Sequence, residues 1–474
     1  MSLSRDMALK HKSGETAVEA KKRRLVGFAK TDEGVEANKC IKIFFVSSPD
    51  EVGTSDGFCV EPMDLNQFFG EDGKIYGYKD LQINIWLSSL SFHAYADISY
   101  ASKVDGGKGI TDLKLDFENI FGESLLDKND FLRTFSTESH CLRNTISAGT
   151  VLQCHSFNEE ADSSDTHSHG SSIEHQVVRM ELNSMPVGLL YSRLVPLTFL
   201  LIDGSSPIDV TDSKWDIYFT VKKIQSNTGE YDLTLLGFAT VYRFYHHPGS
   251  TRLRLSQILV LPPYQGKGHG RRLLESVNST AITENVYDLT VEEPSEYLQY
   301  LRSCIDTLRL FDFEPIKPAI NSIASSLSTE SVSNSALKSL AGPPTHAVEI
   351  VRQKLKINKT QFLKCWDVLI YLMLDNKNRI IMENFRAVIL ARVRSDIFDK
   401  DAESKGKHLV EVPNDYDHDM TFVVYCPHEG GESESLERRL DSDQADQEQQ
   451  LNKLVDKKLE EIVEIAEKVC SLSK

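Results

Sequence analysis

The segment from Arg254 to Glu275 constrains this chain most, because it sets a strand, a glycine-dense turn and a helix in immediate succession. Leu255 to Leu261 is mostly apolar and ends in Ile258-Leu-Val-Leu261, which suits a largely buried strand. Pro262 and Pro263 stop it, and Gln265-Gly-Lys-Gly-His-Gly270 forms the turn. From Arg271 to Ala281, residues Leu273, Leu274, Val277 and Ala281 recur at helical spacing. The unpaired amides of such a turn and of the first helical turn converge on one point, where the helix dipole favours an anion. Side chains would block so close an approach, so glycine is required. The order predicts a cradle for phosphate.

Spacing separates the phosphate binders. A Walker loop ends in Gly-Lys-Ser/Thr, which is absent here, and a dinucleotide fingerprint needs G-x-G-x-x-G where Gly266, Gly268 and Gly270 give G-x-G-x-G. Gln265-x-x-Gly268-x-Gly270 instead resembles the pyrophosphate loop of the GNAT acetyltransferases, which binds coenzyme A. The longer run Ser256-Gln-Ile-Leu-Val-Leu-Pro-Pro-Tyr-Gln-Gly-Lys-Gly-His-Gly270 resembles the core of type B histone acetyltransferase catalytic subunits. Asp288-Leu-Thr-Val-Glu-Glu-Pro-Ser295, followed by Leu301-Arg302, is similar to that family's second signature. Phe69-Gly-Glu-Asp72, Tyr76-Gly-Tyr-Lys79 and Tyr100-Ala-Ser-Lys-Val-Asp105 resemble its N-terminal domain. The likeness runs from about Cys40 to Arg394 and is densest between Gly237 and Arg302.

The resemblance implies an α/β chain with the GNAT acetyltransferase fold, an N-terminal α/β domain and a C-terminal helical region. It implies transfer of acetyl from acetyl-CoA to lysines in the tail of newly made histone four before chromatin assembly. A histone-binding WD-repeat partner and a location in nucleus and cytoplasm follow from the same likeness. A free lysine ammonium has a pKa of ~10.4, so the reaction needs a base. A carboxylate made more basic by partial burial could serve. Glu292 holds the family's general-base position, with Glu293 and Asp203 as the other acids of the site. The family more often has Glu where Asp203 stands and Asp where Glu293 stands. Backbone amides of Ile258, Leu259 and Val260 are expected to hold the cofactor's pantetheine arm. Gln265, Gly266, Lys267, Gly268, His269, Gly270 and Arg271 hold its pyrophosphate, with Ser295 and Arg302 as further contacts. Glu71, Asp72, Gly73, Tyr242, Arg243 and Phe244 are expected to meet the histone. A non-catalytic histone-binding chaperone, or an acetyltransferase for another protein or a small amine, remain as alternatives.

Composition supports a basic substrate. The 474 residues carry 70 acidic and 53 basic side chains, a net charge of −17. That disfavours a nucleic-acid partner, which calls for a basic face. Against this background Arg252, Arg254, Lys267, Arg271 and Arg272 are expected to gather around the glycine turn. The eight cysteines are scattered without a C-x-x-C pair, as in a reducing compartment. No apolar run approaches the ~20 residues of a membrane span. Cys154, His155, His167, His169 and His175 match no zinc spacing, so no metal is expected.

Seven segments are expected along the chain. Residues 1–36 form a polar tail whose Lys21-Lys-Arg-Arg24 reads equally as a nuclear import signal or a solvated run. Residues 37–183 form the N-terminal α/β domain, with an exposed loop from Asn158 to Glu174, and 184–316 the acetyltransferase domain. Residues 317–344 read as a Ser/Ala-rich linker. Residues 345–395 read as helices with a stripe of Phe362, Leu363, Trp366, Leu369, Ile370 and Met373. Acidic residues 396–450 read as disordered, and 451–474 as an amphipathic helix, packed on its own chain or docking a partner.

Overall fold

The structure is a computed structural model that describes residues 34–472, apart from 55–56, 64, 71, 105–108, 158–171, 226–229, 329–339, 341 and 405–443. The Lys21–Arg24 run and most of the Asn158–Glu174 loop therefore lie outside the described residues, as does the greater part of the acidic segment.

Ile41–Val46 (β1), Phe58–Val60 (β2), Gln82–Ser88 (β3) and Ala94–Ser99 (β4) form a sheet in the order β2-β1-β3-β4. Its central strands β1 and β3 run parallel and are apolar on both sides because both faces are covered. Ile43 and Ile85 share a core with Phe117 of Leu113–Phe121 (α1). On the other face Phe44 and Trp86 stack at 4.4 Å and pack with Phe131 and Phe135 of Lys128–Thr137 (α2).

Thr150–Phe157 (β5), Ser172–Glu181 (β6), Trp215–Gln225 (β7), Tyr231–His246 (β8), Ser250–Val260 (β9) and Leu289–Val291 (β10) build the larger sheet, ordered β10-β9-β8-β7-β6-β5. Met185–Leu201 (α3) buries Leu190, Leu194 and Leu197 in the core that also holds Phe219 and Phe238 of this sheet. His269–Thr283 (α4) covers the opposite face with Leu273, Leu274, Val277 and Ala281, and it is the crossover between the parallel strands β9 and β10. This corrects the boundary expected at residue 183. β6 pairs with β7 from Ser172↔Gln225 to Glu181↔Asp216, so β5 and β6 are strands of this larger sheet.

Glu296–Phe311 (α5), Lys317–Leu327 (α6), Thr345–Leu355 (α7), Lys359–Met373 (α8), Arg379–Ser404 (α9) and Gln444–Leu472 (α10) form the helical region. Its core centres on Phe362, Trp366, Phe385, Val455 and Ile462. The linker expected at 317–344 is corrected in its first part, where α6 buries Ile320, Ile323 and Leu327. The disorder expected at 396–450 gives way at both ends to helix, α9 reaching Ser404 and α10 starting at Gln444. Burial of Leu451, Val455, Ile462, Ala466 and Val469 shows that α10 packs on its own chain. Met373, expected in the apolar stripe, is exposed. Among the described residues no helix is long and apolar enough to cross a membrane.

Candidate active site

The site begins where two strands part. β9 and β10 pair only over Leu253–Leu255, and their last link is the Glu292 amide donating to the Leu255 carbonyl at 2.9 Å. β9 continues alone against β8. The β8–β9 register slips at Ser256, since Val241 opposes Leu255 while Thr240 opposes Gln257. Such a bulge inverts which amides face which neighbour. Gln257 then donates to Thr240 Oγ1 at 3.2 Å and Leu261 to the Leu236 carbonyl at 2.9 Å. By alternation the amides of Ile258 and Val260 face the gap left by β10. Leu259, expected to offer its amide with them, opposes Phe238 and turns its amide to β8 instead. The close approach of β8 needs Gly237, because a Cβ there would lie 2.6 Å from the Leu259 carbonyl oxygen and 2.8 Å from Val260 Cα.

The glycine turn folds back on this strand, Gln265 Nε2 donating to the Val260 carbonyl at 2.9 Å. Gly268, at φ +81°, is the N-cap of α4 and brings no capping side chain. The first amide bonded back within the helix is that of Arg272, to the Gly268 carbonyl at 3.2 Å. The amides of His269, Gly270 and Arg271 are left for a ligand. A Cβ built on Gly266 or Gly268 would meet nothing within 4 Å, so the space before the helix is open. An uncapped helix start facing open space, next to strand amides facing a gap, fits the pyrophosphate and amide-rich arm of coenzyme A.

The expected basic cluster is smaller than the sequence implied. Arg252 is held by Asp288 through contacts of 2.5 and 3.1 Å, and Arg254 turns to Phe244 and Glu292. Lys267, Arg271 and Arg272 remain on the turn and helix. Arg302 is corrected as a cofactor contact: it is buried, donates to the Leu289 carbonyl at 3.1 Å and lies 3.6 Å from Asp306. Ser295 caps α5 by accepting from the Leu298 amide at 3.3 Å.

His269, in the first turn of α4, is buried, and its ring lies 5.0 Å from that of His175. Arg272 approaches Nδ1 of His175 at 3.1 Å and of His269 at 3.4 Å. A guanidinium only donates, so both nitrogens act as acceptors here. Burial, aided by His175, Arg272 and Lys267, pushes the His269 imidazole down to about 4. An unfolded histidine titrates near ~6.5, so below that pH the unfolded chain binds the extra proton and stability falls. The contribution is complete above ~6.5 and is lost progressively down to about 4. His269→Asn is expected to flatten this acid limb in urea-denaturation midpoints compared between about pH 7 and about pH 5, the upper part of that window. An unchanged slope would refute it. Among the described residues no group of three or more His, Cys, Asp or Glu is arranged to hold a metal ion.

Glu292 stands at the mouth of the gap. Ser256 Oγ donates to its Oε2 at 2.6 Å, and Arg254 Nη1 lies 3.8 Å from its Oε1. Its side chain is half covered, 47% exposed, just past the end of β10 at Val291. Glu293 follows in a left-handed turn at φ +31° and is exposed. Asp203 is exposed in the turn after α3, two residues before a segment tied to β9 by Gln257 Nε2, which donates to Ser205 Oγ at 3.3 Å and the Ser206 carbonyl at 2.8 Å.

The expected substrate residues divide. Tyr242 and Phe244 share a strand face, their rings 4.6 Å apart, and the Arg254 guanidinium lies 4.3 Å from the Phe244 ring. Trp215, which the sequence did not single out, extends this wall at 4.7 Å from Tyr242. Arg243 points to the other face, which corrects its expected role. It donates to Asp216 at 2.9 Å and Glu284 at 2.8 Å, and those carboxylates raise its pKa against the cost of burial. Asp72 accepts from the Tyr76 hydroxyl, the Gly73 carbonyl accepts from the Ala37 amide at 2.9 Å, and Glu71 lies outside the described residues.

A splayed parallel strand pair, with a glycine turn leading into the crossover helix, defines a GNAT acetyltransferase, and the family model described as acetyltransferase (GNAT) family matches residues 206–299. The model described as histone acetyl transferase HAT1 N-terminus matches residues 34–203. The chain is 48% identical over 472 residues to the histone acetyltransferase type B catalytic subunit of Zea mays, covering 99% of this chain and 98% of that one. It is 49% identical to the Arabidopsis thaliana subunit of the same name, over 96% and 97% of the two chains. The human one is 28% identical over 76% of this chain and 79% of its own length. The chain belongs to the family of type B histone acetyltransferase catalytic subunits. It is an acetyltransferase, and its cofactor is acetyl-CoA.

Proposed function

We propose that this enzyme acetylates lysine ε-amines in the tail of newly synthesised histone four before chromatin assembly, with Glu292 as the general base. The observation that carries the reading is Glu292 at the mouth of the β9–β10 gap, accepting from Ser256 of the strand that carries the Ile258 and Val260 amides, with Arg254 between it and Phe244 of the aromatic wall. Acetyl-CoA supplies the acetyl group as an activated thioester. The uncapped start of α4 and the Ile258 and Val260 amides bind the cofactor and orient it. Glu292 accepts a proton from the lysine ammonium, directly or through water, and leaves a neutral amine. The aromatic wall flanks the lysine stem, and Glu293 and Asp203 add negative charge that favours a cationic tail. The net charge of −17 supports attraction of a basic protein over distance.

The same reading includes a WD-repeat histone-binding partner and passage between cytoplasm and nucleus. Family likeness supports the first and the Lys21–Arg24 run the second. The test is acetyl transfer to purified histones with mass-spectrometric mapping of the modified lysines. Free histone four is expected to react faster than nucleosomes, where DNA phosphate competes for the tail. Rising salt should slow the reaction, since exposed charges are screened beyond about 8 Å at physiological ionic strength. Equal rates on free histone and nucleosome, or preference for a small amine, would overturn the reading.

A further inference from the structure

We infer that Ser256 and Arg254 are positioning residues for Glu292. The inference rests on the reading of Glu292 as the base. Each carboxylate oxygen of Glu292 has its own neighbour, Ser256 Oγ at 2.6 Å on Oε2 and Arg254 Nη1 at 3.8 Å from Oε1. An exposed glutamate side chain with three carbon–carbon torsions samples many rotamers, and two fixed neighbours reduce that spread. Arg254 is itself held, its guanidinium 4.3 Å from the Phe244 ring on the adjacent strand.

The bulge explains why these neighbours fall here. Before it, the odd-numbered backbone of β9 bonds to β10, as in the Leu253 amide to the Asp288 carbonyl at 3.1 Å. After it, the even-numbered amides of Ile258 and Val260 face the same side. Ser256 is the extra residue between the two regimes. Its hydroxyl thus meets the Glu292 carboxylate where paired backbone gives way to amides available to cofactor. Re-aiming a side chain beside an active site is a recurrent use of bulges.

Ser256→Ala is expected to lower kcat about tenfold, the order of one lost hydrogen bond to a charged group, and to leave KM for histone and acetyl-CoA unchanged. Ser256→Thr, which keeps the hydroxyl, should restore most of the rate. In a Glu292→Gln background Ser256→Ala should cost nothing further, because its effect passes through that carboxylate. Arg254→Gln, two residues from the bulge, gives an independent reading: kcat falls several-fold, again only when Glu292 is present. Unchanged kcat in both variants, a loss confined to KM for acetyl-CoA, or full additivity with Glu292→Gln would overturn the inference. Wild-type turnover by Glu292→Gln itself would remove the base assignment instead, so the two failures are distinguishable.

Discussion

Gly268→Asp is expected to abolish acetyl-CoA binding while leaving the fold in place. The residue is the N-cap of α4 at φ +81°, and a Cβ there meets no protein atom within 4 Å. The fold therefore has room for the side chain, and Asp is among the residues that tolerate this left-handed conformation best. The space it would fill is the approach to the His269, Gly270 and Arg271 amides. A carboxylate there satisfies those donors and sets a negative charge against the incoming pyrophosphate. The first effect stabilises the unliganded protein and the second penalises the bound state, so affinity should fall by at least about 10²-fold, or ~2.7 kcal/mol. Calorimetric titration with acetyl-CoA measures the loss, and circular dichroism confirms the fold. Unchanged affinity in a folded Gly268→Asp protein would remove the glycine turn from the cofactor site.

How much of this was legible in the sequence follows from how local each feature is. The strand, turn and helix from Leu255 to Ala281 could be read because proline, glycine and helical periodicity each act on neighbouring residues. The pairing of β5 and β6 with β7 could not, because it depends on register between Ser172–Glu181 and residues far along the chain. Arg243 looked available beside Tyr242 and Phe244. Strand alternation sends it to the opposite face, where its partner Glu284 lies 41 residues away. In Lys317–Leu327 the high Ser and Ala content hid three apolar residues at helical spacing, Ile320, Ile323 and Leu327. The bulge at Ser256 leaves no signature in composition, so the identity of the available amides, Ile258 and Val260 but not Leu259, is a property of the folded sheet.

Glu292→Gln should lower kcat on the order of 10²–10⁴-fold with little change in acetyl-CoA affinity, the range for loss of a general base. The substitution keeps the side chain's length and can still accept from Ser256 Oγ, so geometry is preserved and basicity is removed. Glu293→Gln and Asp203→Asn are the necessary comparators, since both acids are exposed, Glu293 just past the end of β10 and Asp203 two residues before the segment bonded to Gln257 of β9. Glu293 leaves the strand in a left-handed turn, and Asp203 reaches the site only through the loop anchored on Gln257. Glu292 alone among the three has a side-chain contact to β9, which also supplies the cofactor-facing amides. The smaller expected effect of the other two substitutions should appear mainly in KM for histone, as lost attraction for a cationic tail. Steady-state kinetics at saturating acetyl-CoA separate the cases. If Glu293→Gln or Asp203→Asn cost more in kcat than Glu292→Gln, the proton acceptor is that residue, and Glu292 instead serves to hold Arg254 against the aromatic wall.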